Sequence, residues 1–130
     1  MDKVAFISGH GDVTEDEFIN HYVFQIGLHL GLEYSFVIGD FRGVDTFAQN
    51  LLKNAYSYGA KVNVTIYHMF DSPRYNAGFP TVGGFKSDEE RDRAMTLASS
   101  VDIAWVRPGK ENSCTAKNIE RRKKLNDWNF

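Results

Sequence analysis

The sequence has almost no cysteine and no long apolar run. Cys114 is the only cysteine among 130 residues, so the chain can form no internal disulfide and has no thiolate cluster for zinc. Its apolar runs are much shorter than the roughly 20 residues that cross a bilayer, and its first residues lack the pattern of a signal peptide. We therefore expect a cytoplasmic protein with no membrane segment, no metal site and no bound cofactor.

The sequence also lacks an excess of either charge. Lysine and arginine number 15 against 17 aspartates and glutamates, which gives a formal net charge of -2. Proteins that bind nucleic acid by general electrostatic attraction carry a positive field, so nucleic acid is not an expected partner. One interpretation of the basic residues at 117 and 121–124 is a patch that contacts DNA. We prefer the alternative, in which they are solvated cations that complement the dipole at the end of a helix.

Short apolar runs alternate with helical patterns along the chain. The runs at residues 4–8, 34–38, 61–67 and 102–106 have the length and composition of buried strands. Strands that are separated by single helices form a parallel sheet with helices on both faces. We predict an α/β fold over residues 1–130, a single-domain Rossmann-like three-layer sandwich with a mainly parallel sheet of about four to five strands.

Residues 68–86 interrupt this alternation. The segment contains Pro73 and Pro80, three glycines and four aromatic residues. Loops of this length in a compact domain are usually functional or disordered, and the aromatic content favours order. We predict a long ordered loop at 68–86 that acts as a flap and excludes water from the site.

Three strand-to-helix turns are rich in small or polar residues. In an open parallel sheet, ligands bind at the carboxyl ends of the strands, where helix N-termini present free N–H groups. In the first turn the glycines allow close backbone approach to a ligand, and His10 is a donor for a phosphate or a sugar hydroxyl. The predicted ligand-binding residues of this turn are Ser8, Gly9, His10 and Gly11.

The second turn, Gly39-Asp40-Phe41-Arg42-Gly43-Val44-Asp45, resembles the G-x-x-R-G-x-D turn of the SLOG superfamily of Rossmann-like proteins. That superfamily includes the DNA-processing protein DprA, the YspA/YpsA-type proteins and the Lonely Guy phosphoribohydrolases. The order of strands, turns and helices is similar from residue 4 to about residue 125. In these relatives the turn lies against a bound nucleotide or phosphate. The resemblance therefore implies ligand-binding roles for Gly39, Asp40, Arg42, Gly43 and Asp45.

The residue types in this turn agree with such a role. Gly43 allows the chain to turn into the following helix, and Asp45 is able to cap it. Arg42 offers a planar fork of donors to a phosphate. The aromatic side chains that are able to stack on a base in this region are Phe41, Tyr67, Phe70 and Tyr75.

The third turn occupies the place of the superfamily's second motif, which ends in Gly-Thr or Ser-Gly-Thr. Ser113 and Thr115 match the hydroxyl positions of that motif, while Cys114 stands where glycine is usual. Hydroxyl and amide groups at the start of a helix suit a phosphate. We include all three residues in the predicted ligand site.

The phosphoribohydrolases of the superfamily cleave an N-glycosidic bond with an arginine before the fourth strand and a glutamate after Gly-Thr. Arg91 or Arg93 matches the arginine and is the candidate catalytic residue of an enzyme. Lys117 and Asn118 occupy the stretch where the glutamate is expected. A carboxylate would have to come from another loop, and the candidates are Asp40, Asp71 and Glu111.

Two functions follow from these observations. The missing glutamate favours a protein that binds a nucleotide or a phosphorylated nucleoside-derived ligand at the carboxyl ends of the strands. The alternative is an N-glycosidic hydrolase or transferase that acts on a nucleoside monophosphate-type substrate. Members of the superfamily often pair through helices, so the resemblance also implies a homo-oligomer, with Trp128 and Phe130 partly at the interface.

Overall fold

A computed structural model describes residues 3–128, which form one five-stranded, all-parallel sheet in the order β4-β3-β2-β1-β5. The strands are β1 (Val4–Ser8), β2 (Ser35–Gly39), β3 (Val64–Met69), β4 (Thr81–Phe85) and β5 (Val101–Ala104). The helices are α1 (Glu15–Phe18), which continues through a π-helical segment (Ile19–Val23) into α2 (Phe24–Gly31), and then α3 (Val44–Ser57), α4 (Asp88–Leu97) and α5 (Cys114–Trp128). The predicted α/β, Rossmann-like single domain is confirmed.

Side-chain alternation along the strands separates the two faces of the sheet. Ala5 and Ile7 belong to a core cluster with the helices from α1 to α3, whereas Phe6 packs with Met95 of α4 on the other face. Asp102 lies beside Phe6 in the β1–β5 register and binds Arg122 of α5, so α5 covers the same face as α4. The helices therefore form one layer on each side of the sheet.

The segment at 68–86 contains a strand that the sequence analysis did not predict. β4 pairs with β3 in parallel, with Ile66 opposite Thr81, and residues 70–80 connect the two strands without a helix. β4 contains two glycines and is largely exposed, so its sequence lacks the apolar pattern that predicts a strand. Gly83 is required there, because a Cβ atom would lie 2.2 Å from Cε1 of the buried His68. The predicted long loop is therefore limited to residues 70–80.

The first helix begins and ends where the sequence predicts. Thr14 and Glu17 form the expected capping box, and α2 ends at Gly31. The π-helical segment between them was not predicted, and its buried Tyr22 joins two strand ends. The Tyr22 hydroxyl donates to the carbonyl oxygen of Ser8 at 2.8 Å and accepts the N–H of Trp105 at 2.9 Å. The carboxyl ends of β1 and β5 are thus fixed relative to each other.

Two predictions of the sequence analysis concern membrane-spanning helices and the oligomeric state. No helix within residues 3–128 combines the length and the apolar character needed to cross a bilayer. Phe130 and the side chain of Trp128 lie outside the described part of the chain. The homo-oligomer therefore stays a prediction.

Tyr22→Phe tests the bridge between β1 and β5. The substitution leaves a buried carbonyl and a buried N–H without their partner, so we expect the free energy of unfolding to fall by about 1–3 kcal/mol. Urea unfolding at equilibrium measures this change. Tyr58→Phe is the control, because Tyr58 is 86% exposed, and an equal effect of both substitutions would contradict the bridge.

Candidate functional site

A crevice lies at the carboxyl ends of the strands. The chain builds β1 to β4 in one direction and then returns to place β5 on the other side of β1, and ligands of open α/β sheets bind where the strand order reverses in this way. The crevice has a volume of about 230 Å³. The predicted site residues that line it are Ser8, Gly9, His10, Gly11, Gly39, Asp45, Arg91, Ser113, Cys114 and Thr115.

Four predicted residues lie outside this lining. Arg42 is exposed, and its guanidinium stacks 4.8 Å from the centre of the Phe41 ring. Arg93 is exposed and pairs with Glu89 at 3.2 Å, so Arg91 is the arginine that the fold brings into the crevice. Asp40 and Gly43 do not line the crevice either. Phe41 is the only one of the four aromatic candidates that lines the crevice.

The crevice also contains residues that the sequence analysis did not select. Asp88, Asp92 and Met95 lie on the face of α4 that carries Arg91, at spacings of three and four residues. This spacing is visible in the sequence, but nothing in it shows that this helix face turns toward the turns after β1 and β5. The complete set of missed lining residues is Phe6, Asp88, Asp92, Met95 and Asn118.

The glycines of the first two turns allow the turns to pack on each other. A Cβ atom at Gly9 would lie 2.3 Å from Cγ2 of Val44 and 2.4 Å from the Tyr22 hydroxyl oxygen. Gly43 has a φ of +77°, and a Cβ there would lie 2.3 Å from the carbonyl oxygen of His10. The sequence analysis assigned Gly9 and Gly43 to the ligand site, but the space beside these glycines is filled by protein atoms.

Arg91 forms the centre of one end of the crevice. Its side chain is 7% exposed, and its guanidinium contacts Asp40 at 2.8 Å, Asp88 at 3.0 Å and Asp92 at 3.0 Å. Asp92 also accepts the side-chain amide of Asn118 from α5 at 3.1 Å. The positive charge of Arg91 is therefore already balanced by carboxylates, so this end of the crevice is acidic.

Asp40 is held by two arginines and is not a free acid. Its carboxylate accepts the backbone N–H and the guanidinium of Arg74 as well as the guanidinium of Arg91. Burial opposes ionisation, but the hydrogen bonds from Arg74 outweigh it and hold the pKa of Asp40 below its ordinary value. Asp71 and Glu111 are exposed and do not line the crevice. None of the three proposed substitutes for the missing glutamate is therefore in position.

Asp45 is a buried carboxyl group of the crevice. The sequence suggested that it caps α3, but Gly43 occupies the cap position and Asp45 instead accepts the N–H of Phe41 at 3.1 Å. Burial raises the pKa of Asp45 to about 7, against the opposing charge of Arg91 and with support from the negative charges of Asp92 and Asp40. The group therefore exchanges its proton near neutral pH.

The other end of the crevice is formed by the start of α5 and has no carboxylate. The Ser113 hydroxyl accepts the N–H of Ala116 at 3.2 Å, while the N–H groups of Cys114 and Thr115 donate to no residue in the range 3–128. The Ser8 side chain lies in the same crevice, and its buried hydroxyl oxygen has no hydrogen-bond partner among the described residues. This end therefore offers N–H and hydroxyl donors.

His10 connects the first and third turns. Its Nε2 accepts the backbone N–H of Arg107 at 2.9 Å, which places the ring proton on Nδ1. Burial and then the charge of Arg107 lower the pKa of His10, so the neutral ring is maintained. Arg107 in turn pairs with Asp12 and Glu17, at 3.0 and 2.7 Å.

Residues 70–80 do not form a flap over the crevice. The loop is fixed to α3, where the buried Gln49 donates to the carbonyl oxygen of Tyr75 at 3.4 Å and accepts the N–H of Ala77 at 2.9 Å. None of its residues lines the crevice. Its one connection to the site is Arg74, which binds Asp40 and Asp88 at 2.8 Å each. The predicted exclusion of water by this loop is therefore wrong.

Comparison of the chain with models of protein families, with curated protein sequences and with solved structures finds no match. Membership of the SLOG superfamily accordingly stays a prediction from the two turn motifs. What the site is able to do has to be argued from its geometry.

Asp45→Asn tests the environment of this carboxyl group. Between the ordinary pKa of 3.8 and the native value of about 7, the native state binds more protons than the unfolded state, so the contribution of Asp45 to stability falls as pH rises. The asparagine does not titrate. We expect the variant to gain stability relative to the wild type by up to about 1.4 kcal/mol per pH unit in this window.

Urea unfolding at several pH values measures this difference. Asp71→Asn, on the exposed part of the long loop, is the matched control and should show a constant difference from the wild type. A constant difference for Asp45→Asn as well would contradict the raised pKa.

Proposed function

We propose that the protein binds a nucleotide or another phosphorylated nucleoside-type ligand in the crevice. The observation that carries this proposal is the hydroxyl of Ser8, a residue that is 6% exposed and has no protein partner for its side chain within residues 3–128. A buried hydroxyl without a hydrogen bond costs about 1–3 kcal/mol. A phosphate oxygen at the start of α5 supplies the missing partner.

The two ends of the crevice support one orientation of the ligand. The start of α5 offers the unpaired N–H groups of Cys114 and Thr115 at the positive end of a helix dipole. The opposite end holds Asp88 and Asp92, which pair with Arg91, and these carboxylates repel a phosphate. The phosphate therefore lies on α5, and the neutral sugar or base lies toward Arg91.

The apolar residues of the crevice favour a ligand that has an apolar face. Phe6 and Met95 line the crevice and are almost completely buried, at 1% and 0% exposure. They leave little surface for contact, but Phe41 also lines the crevice and is partly exposed. A sugar ring or a base packs against such a side chain, whereas a free inorganic anion gains nothing from it. The small volume fits the enclosed part of one nucleoside phosphate better than a dinucleotide.

N-glycosidic chemistry is the second candidate function. The observation that favours it is Asp45, a crevice carboxyl group that holds a proton near neutral pH, as a general acid requires. Two features favour binding over this chemistry: Arg91 is already paired with three carboxylates, and Asn118 occupies the region of the missing glutamate and is bonded to Asp92. We place either function in the cytoplasm, since the single cysteine agrees with a reducing compartment.

A role in DNA binding has less support. Of the basic residues on α5, Arg122 is buried and pairs with Asp102 at 3.0 Å, and Arg121 donates to Asn118 at 2.7 Å. The exposed cations that remain on this helix are Lys117, Lys123 and Lys124. Three solvated lysines form a weak electrostatic footprint for a duplex.

A thermal-shift screen tests the proposed function. The panel contains nucleoside 5′-monophosphates, cyclic nucleotides, dinucleotides and the unphosphorylated nucleosides. We expect a mononucleotide to stabilise the protein by about 2.7 kcal/mol at a concentration of 100 Kd, and its nucleoside to stabilise it much less. If no compound stabilises the protein, the proposed ligand class is overturned. Release of the base from a nucleotide, detected by chromatography, would favour N-glycosidic chemistry.

Ser8→Ala tests the position of the phosphate. The loss of one hydrogen bond to a charged group should weaken binding of the mononucleotide by about 10-fold or more, with little effect on the nucleoside. The stability of the free protein should rise, because the substitution removes a buried hydroxyl that has no partner within residues 3–128. Isothermal titration calorimetry measures both affinities. Arg42→Ala is the control that separates the crevice from the turn motif, because Arg42 lies outside the lining. A large loss with Arg42→Ala and none with Ser8→Ala would contradict this position.

A further inference from the structure

The carboxyl group of Asp45 has one occupied and one unoccupied oxygen. Oδ2 accepts the N–H of Phe41 at 3.1 Å, whereas Oδ1 takes part in no hydrogen bond with any residue between Lys3 and Trp128. The residue is 6% exposed and lines the crevice. Asp45 therefore presents a single free polar position to whatever the crevice holds.

No cation pairs with Asp45 in the described chain. The nearest positive group is Arg91, which has no nitrogen within 4.0 Å of an Asp45 oxygen and is shared by Asp40, Asp88 and Asp92. Gly39 contributes the space between them, because a Cβ there would lie 2.6 Å from Asp45 Oδ2 and 3.0 Å from Arg91 Cζ. A larger residue at position 39 would displace Asp45 or Arg91 from these positions.

The other groups around Asp45 do not supply a positive charge. Asp40 follows β2, Asp92 faces Asp45 from α4, and both pair with arginines. Tyr22 packs from the π-helical segment and is a neutral phenol, since burial raises its pKa. His10 after β1 is neutral, because burial lowers its pKa. A negative charge on Asp45, in addition to those of its neighbours, is therefore unfavourable.

We propose that Asp45 recognises the ligand as a proton donor, with its protonated carboxyl group donating a hydrogen bond from Oδ1 to an acceptor atom of the sugar or base. This inference rests on the proposed function and adds the group that the site selects: a carbonyl oxygen, a ring nitrogen or an ether oxygen, and not an ammonium group. The proton stays on Asp45 while the ligand is bound. Binding above neutral pH is therefore coupled to the uptake of one proton.

Isothermal titration calorimetry on the full chain tests the proposal, with the nucleoside 5′-monophosphates AMP, GMP, CMP and UMP as probes. We expect the affinity of the best probe to fall by about tenfold per pH unit above neutral pH. The phosphate of the probe titrates near pH 6 and becomes a stronger partner for α5 as pH rises, which is the opposite direction. The sign of the slope therefore distinguishes the two groups.

Asp45→Asn is the decisive variant. Its amide oxygen still accepts the N–H of Phe41, and its NH₂ group donates from the position of Oδ1 at every pH. We expect its affinity to be independent of pH above neutrality and to exceed that of the wild type at pH 8.5 by about tenfold or more. Asp71→Asn, outside the crevice, should keep the wild-type slope.

A second measurement covers the case in which Asp45→Asn does not fold. Titration of the wild type at pH 8 in two buffers with different ionisation enthalpies gives the number of protons taken up, which we expect to be close to one. Measurable binding with no proton uptake, a flat pH profile of the wild type, or a wild-type slope in Asp45→Asn overturns the role of Asp45 and leaves the proposed function standing. Absence of binding at every pH overturns both.

Discussion

The guanidinium group of Arg91 joins the parts of the structure that make the site. It binds Asp40 at the end of β2, Asp88 and Asp92 on its own helix, and through these carboxylates Arg74 of the long loop and Asn118 of α5. A buried ion network of this kind fixes geometry more than it adds stability, because desolvation offsets much of the attraction. It also leaves one end of the crevice acidic, which is why the proposed position of the phosphate is the start of α5.

Most of the fold follows from patterns visible in the sequence. The buried strand at residues 4–8 is read correctly from an uninterrupted apolar run, and the first helix from the capping box at Thr14. β4 was missed because Gly83 and Gly84 give it no apolar period. Its position depends on contacts with β3 and His68, which lie far from any local signal. The π-helical segment, from which Tyr22 bridges two strand ends, likewise has no local signal in the sequence.

The site was predicted where it depends on single turns and missed where it depends on how elements face each other. The turns at Ser8 and Ser113 lie in the crevice because the ends of parallel strands meet at one edge of a sheet. Arg42 matches a motif but does not line the crevice, and the arginines that bind Asp40 are Arg74 and Arg91. The acidic surroundings of Arg91 come from Asp40 after β2 and from Asp88 and Asp92 on α4, and no local pattern in the sequence shows that these elements meet.

In the proposed binding mode, α5 holds the phosphate of the ligand and the acidic end of the crevice holds the remainder. Titration of the ¹⁵N-labelled protein with a nucleoside 5′-monophosphate, and separately with the same nucleoside, tests it most directly by NMR. We expect the backbone amide resonances of Cys114 and Thr115 to shift strongly with the mononucleotide and little with the nucleoside. Shifts confined to the exposed lysines Lys123 and Lys124, or to Arg42, would contradict it.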